Sequence, residues 1–95
     1  MTSVKSATSW FFLTNHSHVL LCLVRYPSIK MKEIAVKVGI TERAVQRIIA
    51  DLHEGGYIVL EREGRCNKYK LNLELHLRHA IEKHRTIEDL ISFLL

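Results

Sequence analysis

Residues 31–50 read MKEIAVKVGITERAVQRIIA, two short apolar-striped runs separated by a glycine. From Lys32 to Val38, Ile34, Ala35 and Val38 share one helix face, which predicts a short helix with those residues inward. Gly39 then permits a backbone turn that a residue with a β-carbon resists. Thr41 stands where a cap belongs for a second helix, with Ala44, Val45, Ile48, Ile49 and Leu52 as its apolar stripe and Gly55-Gly56 at its end. When Val45, Ile48 and Ile49 face inward, helical geometry turns Arg43, Gln46, Arg47 and Ala50 outward along a single face.

Upstream, Val19, Leu20, Leu23 and Val24 recur at helical spacing between Asn15 and Tyr26. Asn15 is the expected cap of that helix and Pro27 its stop. Downstream of the glycines the period changes to two. Tyr57–Glu63 and Lys68–Leu73 read as strands joined through Gly64-Arg65-Cys66-Asn67, a segment with hairpin-turn chemistry. On the second strand Tyr69, Leu71 and Leu73 are expected to face the core, with Lys68, Lys70 and Asn72 facing out. Thr86-Ile-Glu-Asp is a capping box with Asp in its last place, and it opens a C-terminal helix bearing Ile87, Leu90, Ile91 and Leu94. Glu74 to Arg85 fits helix and extended chain equally well.

The chain's 95 residues, 47% hydrophobic and 25% charged, suit one compact soluble domain over 1–95 rather than a disordered tail. A formal net charge of +4 favours an acidic partner such as nucleic acid, although it also suits an anionic membrane surface. The longest apolar run falls well short of the roughly 18–20 residues a membrane span needs, and no secretory leader pattern is visible, so a cytoplasmic location without membrane contact is expected. Two cysteines make no disulfide framework: Cys22, in an apolar run, reads as a small core residue. Cys66 lies among Arg65 and Lys68, where positive charge favours a thiolate, but no resolving thiol is evident and it reads as a turn residue without redox chemistry.

Two short helices joined by a three-residue turn containing glycine make a helix-turn-helix, whose second helix enters the major groove of DNA. The longer stretch MKEIAVKVGITERAVQRIIADLHEGGYIVLEREGRCNKYKL resembles the winged helix-turn-helix of small bacterial and archaeal transcriptional regulators, in the neighbourhood of the MarR and ArsR families. LTNHSHVLLCL and LHLRHAIEKHRTIEDLI carry the resemblance outward to MarR-like regulators, although Leu60 and Cys66 stand where relatives often have polar or basic residues. The resemblance implies an α+β, mainly α, fold: a three-helix core, a β-hairpin wing and an additional C-terminal helix, with the DNA-binding core at 15–73. Its ligand and target genes do not follow.

Arginine donates two hydrogen bonds to guanine and glutamine pairs with adenine, so Arg43, Gln46 and Arg47 are the expected base-reading residues. Thr41, beside the free amides of a helix start, is expected on a phosphate. Lys37 and the wing residues Arg62, Arg65, Lys68 and Lys70 are expected to give backbone or minor-groove affinity more than specificity. The plainer reading makes the helix residues a solvated face and the wing cations a charged edge that discourages strand aggregation. The preceding turn and following hairpin favour DNA.

A core this small has limited room for Trp10, Phe11, Phe12, Ile87, Leu90, Ile91 and Leu94, so the flanks 1–14 and 74–95 are expected to form a two-fold dimer interface; the plainer reading is a folded-back monomer. A homodimeric repressor on an inverted-repeat operator follows, with no cofactor and an unidentified effector. His76, His79 and His84 near Glu82 match no closed zinc pattern, so no metal is expected. Phosphate-cradling glycine loops, activated nucleophiles and paired carboxylates are not evident, which argues against an enzyme. The competing readings are a winged-helix protein-interaction module without a DNA target and a nonspecific architectural DNA binder.

Overall fold

The structure, a computed structural model, describes residues 10–95, apart from the side chains of Glu63 and Cys66. The reading of the Cys66 thiol and that of the flank before residue 10 lie outside what is described. Helix α1 spans Asn15–Arg25. Its cap is Thr14, not Asn15: Thr14 has the extended backbone a cap requires, and its Oγ1 accepts from the Ser17 amide at 3.4 Å. Asn15 is already helical and its Oδ1 meets His18 Nδ1 at 3.3 Å.

Helix α2 spans Met31–Val38, one residue longer than the apolar pattern because Glu33 Oε1 accepts from the Lys30 amide and ties down the first turn. Gly39 follows in the left-handed region at φ 85°, donating to Ala35 O at 2.8 Å, and Ile40 donates to the same carbonyl at 3.1 Å. That reversal starts α3, Glu42–Glu54, whose cap Thr41 accepts from the Ala44 amide at 3.0 Å. Val45, Ile48, Ile49 and Leu52 form the buried stripe of α3, packed with Val19, Leu20 and Leu23 of α1 and Ile34 and Ala35 of α2. Full burial of one such aliphatic side chain contributes about 1.5–3 kcal/mol, so this stripe fixes how α3 sits on the other two helices.

Strands β1, Ile58–Glu63, and β2, Cys66–Leu71, pair antiparallel from Ile58↔Leu71 to Glu63↔Cys66. The turn is therefore Gly64-Arg65 alone, shorter than the expected four residues. Gly64 at φ 63° supplies the positive φ that a two-residue hairpin turn needs at its first central position, which releases Cys66 and Asn67 to pair. At the other end the ladder stops at Leu71: the Asn72 amide donates to Tyr57 O, and Leu73, expected inside, is exposed. Tyr69 is buried, and its amide donates to Pro27 O at 3.1 Å, which ties the hairpin to the α1–α2 loop.

The segment 74–85 is turns, with one antiparallel bridge between His76 and Thr86. Amides of Leu77, Ile87 and Glu88 donate to the carbonyls of Arg85, Leu75 and Leu73, which closes a strap against the hairpin base. Helix α4, Ile87–Leu94, starts at the anticipated capping box: the Asp89 amide donates to Thr86 Oγ1 at 3.1 Å and the Thr86 amide to Asp89 Oδ2 at 3.0 Å. Ile87 joins the core at 3% exposure, with Leu77 and Ile91 partly buried against it, so the core extends past residue 73. Among the described residues, no helix is long and apolar enough to cross a membrane.

Candidate nucleic-acid interface

The four buried residues of α3 leave Arg43, Gln46, Arg47 and Ala50 exposed on the opposite side of the helix. Among the described residues, neither Arg43 nor Arg47 takes part in an ion pair. Asp51 is the residue that would be expected to neutralise Arg47, since it follows at the i+4 spacing of neighbours on a helix surface. Instead Asp51 Oδ2 meets His16 Nε2 of α1 at 2.9 Å. The guanidinium of Arg47 is left to face solvent, and with Arg43 and Gln46 it makes a row of hydrogen-bond donors without a partner among the described residues.

Thr41 stands at the start of this row. Its Oγ1 spends a lone pair on the Ala44 amide, which leaves the hydroxyl proton free to donate to a phosphate oxygen. Glu42, exposed in the first turn, works against an anion there; the sequence reading passed over this carboxylate although its position was visible.

The wing cations do not form one surface. Ile58, Leu60 and Arg62 alternate onto the core side of β1, and Asn67, Tyr69 and Leu71 onto the same side of β2. Lys68 and Lys70 point the other way, where Lys68 stands opposite Glu61 and Lys70 opposite Val59. Part of the Lys68 charge is therefore offset across the ladder, while Arg65 occupies the exposed tip. Lys37 belongs to a different place: its Nζ lies 4.9 Å from the centroid of the Tyr26 ring, beside a shallow groove between α2 and the α1–α2 loop that no α3 residue lines. Burial pushes the nearby Cys22 thiol up from its ordinary pKa, with the Lys37 charge pulling partly back. A raised thiol agrees with the reading of Cys22 as packing rather than chemistry.

Trp10, Phe11 and Phe12 are exposed, with Trp10 edge-on to Phe12 at 5.1 Å and Phe11 edge-on to the His18 ring at 5.7 Å. On α4 the outward apolar surface consists of Leu94, Phe93 and the flanks of Leu90 and Ile91. Ile87, expected at a dimer contact, does not contribute: it is buried where the first turn of α4 meets its own core. Among the described residues, no three His, Cys, Asp or Glu side chains converge closely enough to hold a metal ion.

Residues 13–59 match the family described as winged helix-turn-helix DNA-binding. Among solved structures the chain is similar to the zinc-dependent MarR family transcriptional regulator AdcR in its Zn(II)-bound state, at 25% sequence identity and a TM-score of 0.51, over 73% of this chain and 49% of that one. The chain thus spans about half the length of that regulator. No curated protein matches.

Proposed function

We propose that this chain, which has a winged helix-turn-helix fold and matches that family over residues 13–59, is a transcriptional regulator that reads duplex DNA with α3. The observation that carries the reading is the unpaired row of Arg43, Gln46 and Arg47 on a helix whose other side is locked into the core. Arg43 and Arg47 donate to guanine edges and Gln46 pairs with adenine, while Thr41 and the tip residue Arg65 hold phosphates. Lys68, Lys70 and Arg62 supply further backbone attraction from two sides of the hairpin, and Lys37 joins them only by leaving the Tyr26 ring.

The regulator acts as a homodimer and represses by occupying promoter DNA in the cytoplasm. The exposed aromatic flank Trp10, Phe11 and Phe12 and the outer side of α4, with Leu90, Ile91 and Leu94, support association of two copies. Two-fold symmetry then sets two α3 helices about one DNA turn apart, roughly 34–36 Å, and selects an inverted-repeat operator. Binding to a random-sequence duplex measured over a salt series tests the class of partner. Phosphate neutralisation demands a steep loss of affinity as salt rises, and a flat or absent response places the apolar flanks, not DNA, at the centre of function.

A further inference from the structure

The exposed face of α3 divides into two rows. With about 100° between successive residues, Arg43 and Arg47 lie opposite the buried stripe, while Glu42 and Gln46 form a second row along one side of them. All four side chains are exposed. The rows differ in chemistry: arginine only donates hydrogen bonds, glutamine donates and accepts, and an ionised glutamate only accepts. Among the described residues, the Glu42 carboxylate takes part in no hydrogen bond and no ion pair. Its own helix offers it no cation, since the neighbours one turn on are Val45 and Gln46. The positive end of the helix dipole accounts for an acid in the first turn, but not for one in line with Gln46.

We infer that Glu42 is a specificity-determining residue of α3, which accepts a hydrogen bond from the N4 amino group of a cytosine. The inference rests on the proposed reading of α3 as the helix that enters the major groove. The N-terminal residues of such a helix meet base edges, and Glu42 is the first residue of α3. In that groove cytosine offers its amino group, guanine offers the acceptors O6 and N7, thymine the acceptor O4, and adenine an amino group beside the acceptor N7. A carboxylate is repelled by acceptors and by phosphates, so cytosine is the base that best replaces the water Glu42 loses. Arg43, the next residue, seeks the O6 and N7 of a guanine, so adjacent residues of α3 suit the two halves of G·C pairs. Where no cytosine stands, the Glu42 charge is left uncompensated close to phosphates. It therefore penalises wrong sequences more than the right one, a discrimination that arginines, attracted to every phosphate, do not supply by charge alone.

Selection of bound duplexes from a random library, run in parallel on the wild type and on Glu42→Gln, tests this. Glutamine keeps the length of the side chain, removes its charge and pairs with adenine. The wild type should enrich cytosine at one position of the selected site, with discrimination of roughly fivefold or more, and Glu42→Gln should move that position to adenine while the others stay. On random-sequence duplex the variant should bind about two- to fivefold more tightly at low salt, a gain that shrinks as salt screens the charge. A carboxylate that only stabilised the start of the helix would alter thermal stability and leave the base preference where it was. An enriched site that is the same in both proteins overturns the inference and leaves the DNA reading standing, as does an equal gain in affinity on enriched and random duplexes. No enriched sequence from either protein overturns the inference together with the sequence-reading role of α3.

Discussion

His16 Nε2 on α1 lies 2.9 Å from Asp51 Oδ2 on α3, and this contact draws Asp51 away from Arg47, its neighbour one helical turn back. Both partners are about half exposed, with side-chain accessibilities of 48% and 49%, so the pair contributes little to stability. On the proposed reading its consequence is electrostatic: it keeps the Asp51 carboxylate on His16 rather than on the Arg47 guanidinium. His16→Ala should release Asp51 to compete for Arg47 and lower duplex affinity by up to about fivefold, the range of an exposed ion pair. Adding Asp51→Asn to His16→Ala should restore affinity. Equal affinity of His16→Ala and wild type would show that Asp51 never reaches Arg47.

On the proposed reading, Arg47→Ala removes one base-reading donor pair. Specific binding should weaken by about 1–3 kcal/mol, with a much smaller change on random-sequence duplex. Competition titrations of the two duplexes check this, and equal loss on both would reduce Arg47 to a phosphate contact. Lys70→Ala should behave in the opposite manner, with equal loss on both duplexes and a shallower salt dependence.

Ile87 and Phe93 lie on the same helix but belong to different surfaces. Ile87→Ala opens a cavity in the intrachain core and should destabilise the fold by about 2–5 kcal/mol in denaturant unfolding. Phe93, 87% exposed, has no such role within the chain. Phe93→Ser should leave the unfolding of the separated chain nearly unchanged while shifting sedimentation equilibrium toward monomer. An unaltered oligomeric state would remove the outer side of α4 from the interface.

The capping box of α4 is sensitive to acid. The Thr86 amide donating to the Asp89 carboxylate holds that group below its ordinary pKa, with further help from the Thr86 hydroxyl and the charges of Arg85 and His76. A carboxyl depressed in the fold contributes stability that is present above its unfolded pKa and lost as pH falls through the folded value. The first turn of α4 should therefore fray only below the usual carboxylate range. Amide exchange at Leu90 followed down in pH checks the window, and Asp89→Asn should abolish the acid step.

The helix-turn-helix was legible because two local signals agree: the four apolar residues Val45, Ile48, Ile49 and Leu52 share one face of α3, and Gly39 takes the positive φ that its turn needs. The outward row of Arg43, Gln46 and Arg47 follows from that stripe by geometry alone. What escaped reading depends on partners distant in sequence. Asp51 gives no local sign that it will turn to His16, 35 residues away. Ile87 and Leu90 look equivalent on a helical wheel, and only the strap's hydrogen bonds to residues 73–77 decide which side of α4 meets the core. The wing was misjudged at its turn, where Gly64 permits a two-residue reversal as readily as a longer one. That difference moves Cys66 and Asn67 into the ladder and fixes Lys68 opposite Glu61.

Whether α3 reads DNA sequence in a two-fold assembly is decided by selecting bound duplexes from a random library at near-physiological salt and sequencing them. The expected result is enrichment of an inverted repeat whose half-site centres are about one helical turn apart, with guanine and adenine at the positions facing Arg43, Gln46 and Arg47. Binding without enrichment would contradict sequence reading and leave a nonspecific architectural protein. No binding at low or moderate salt would contradict the DNA account altogether.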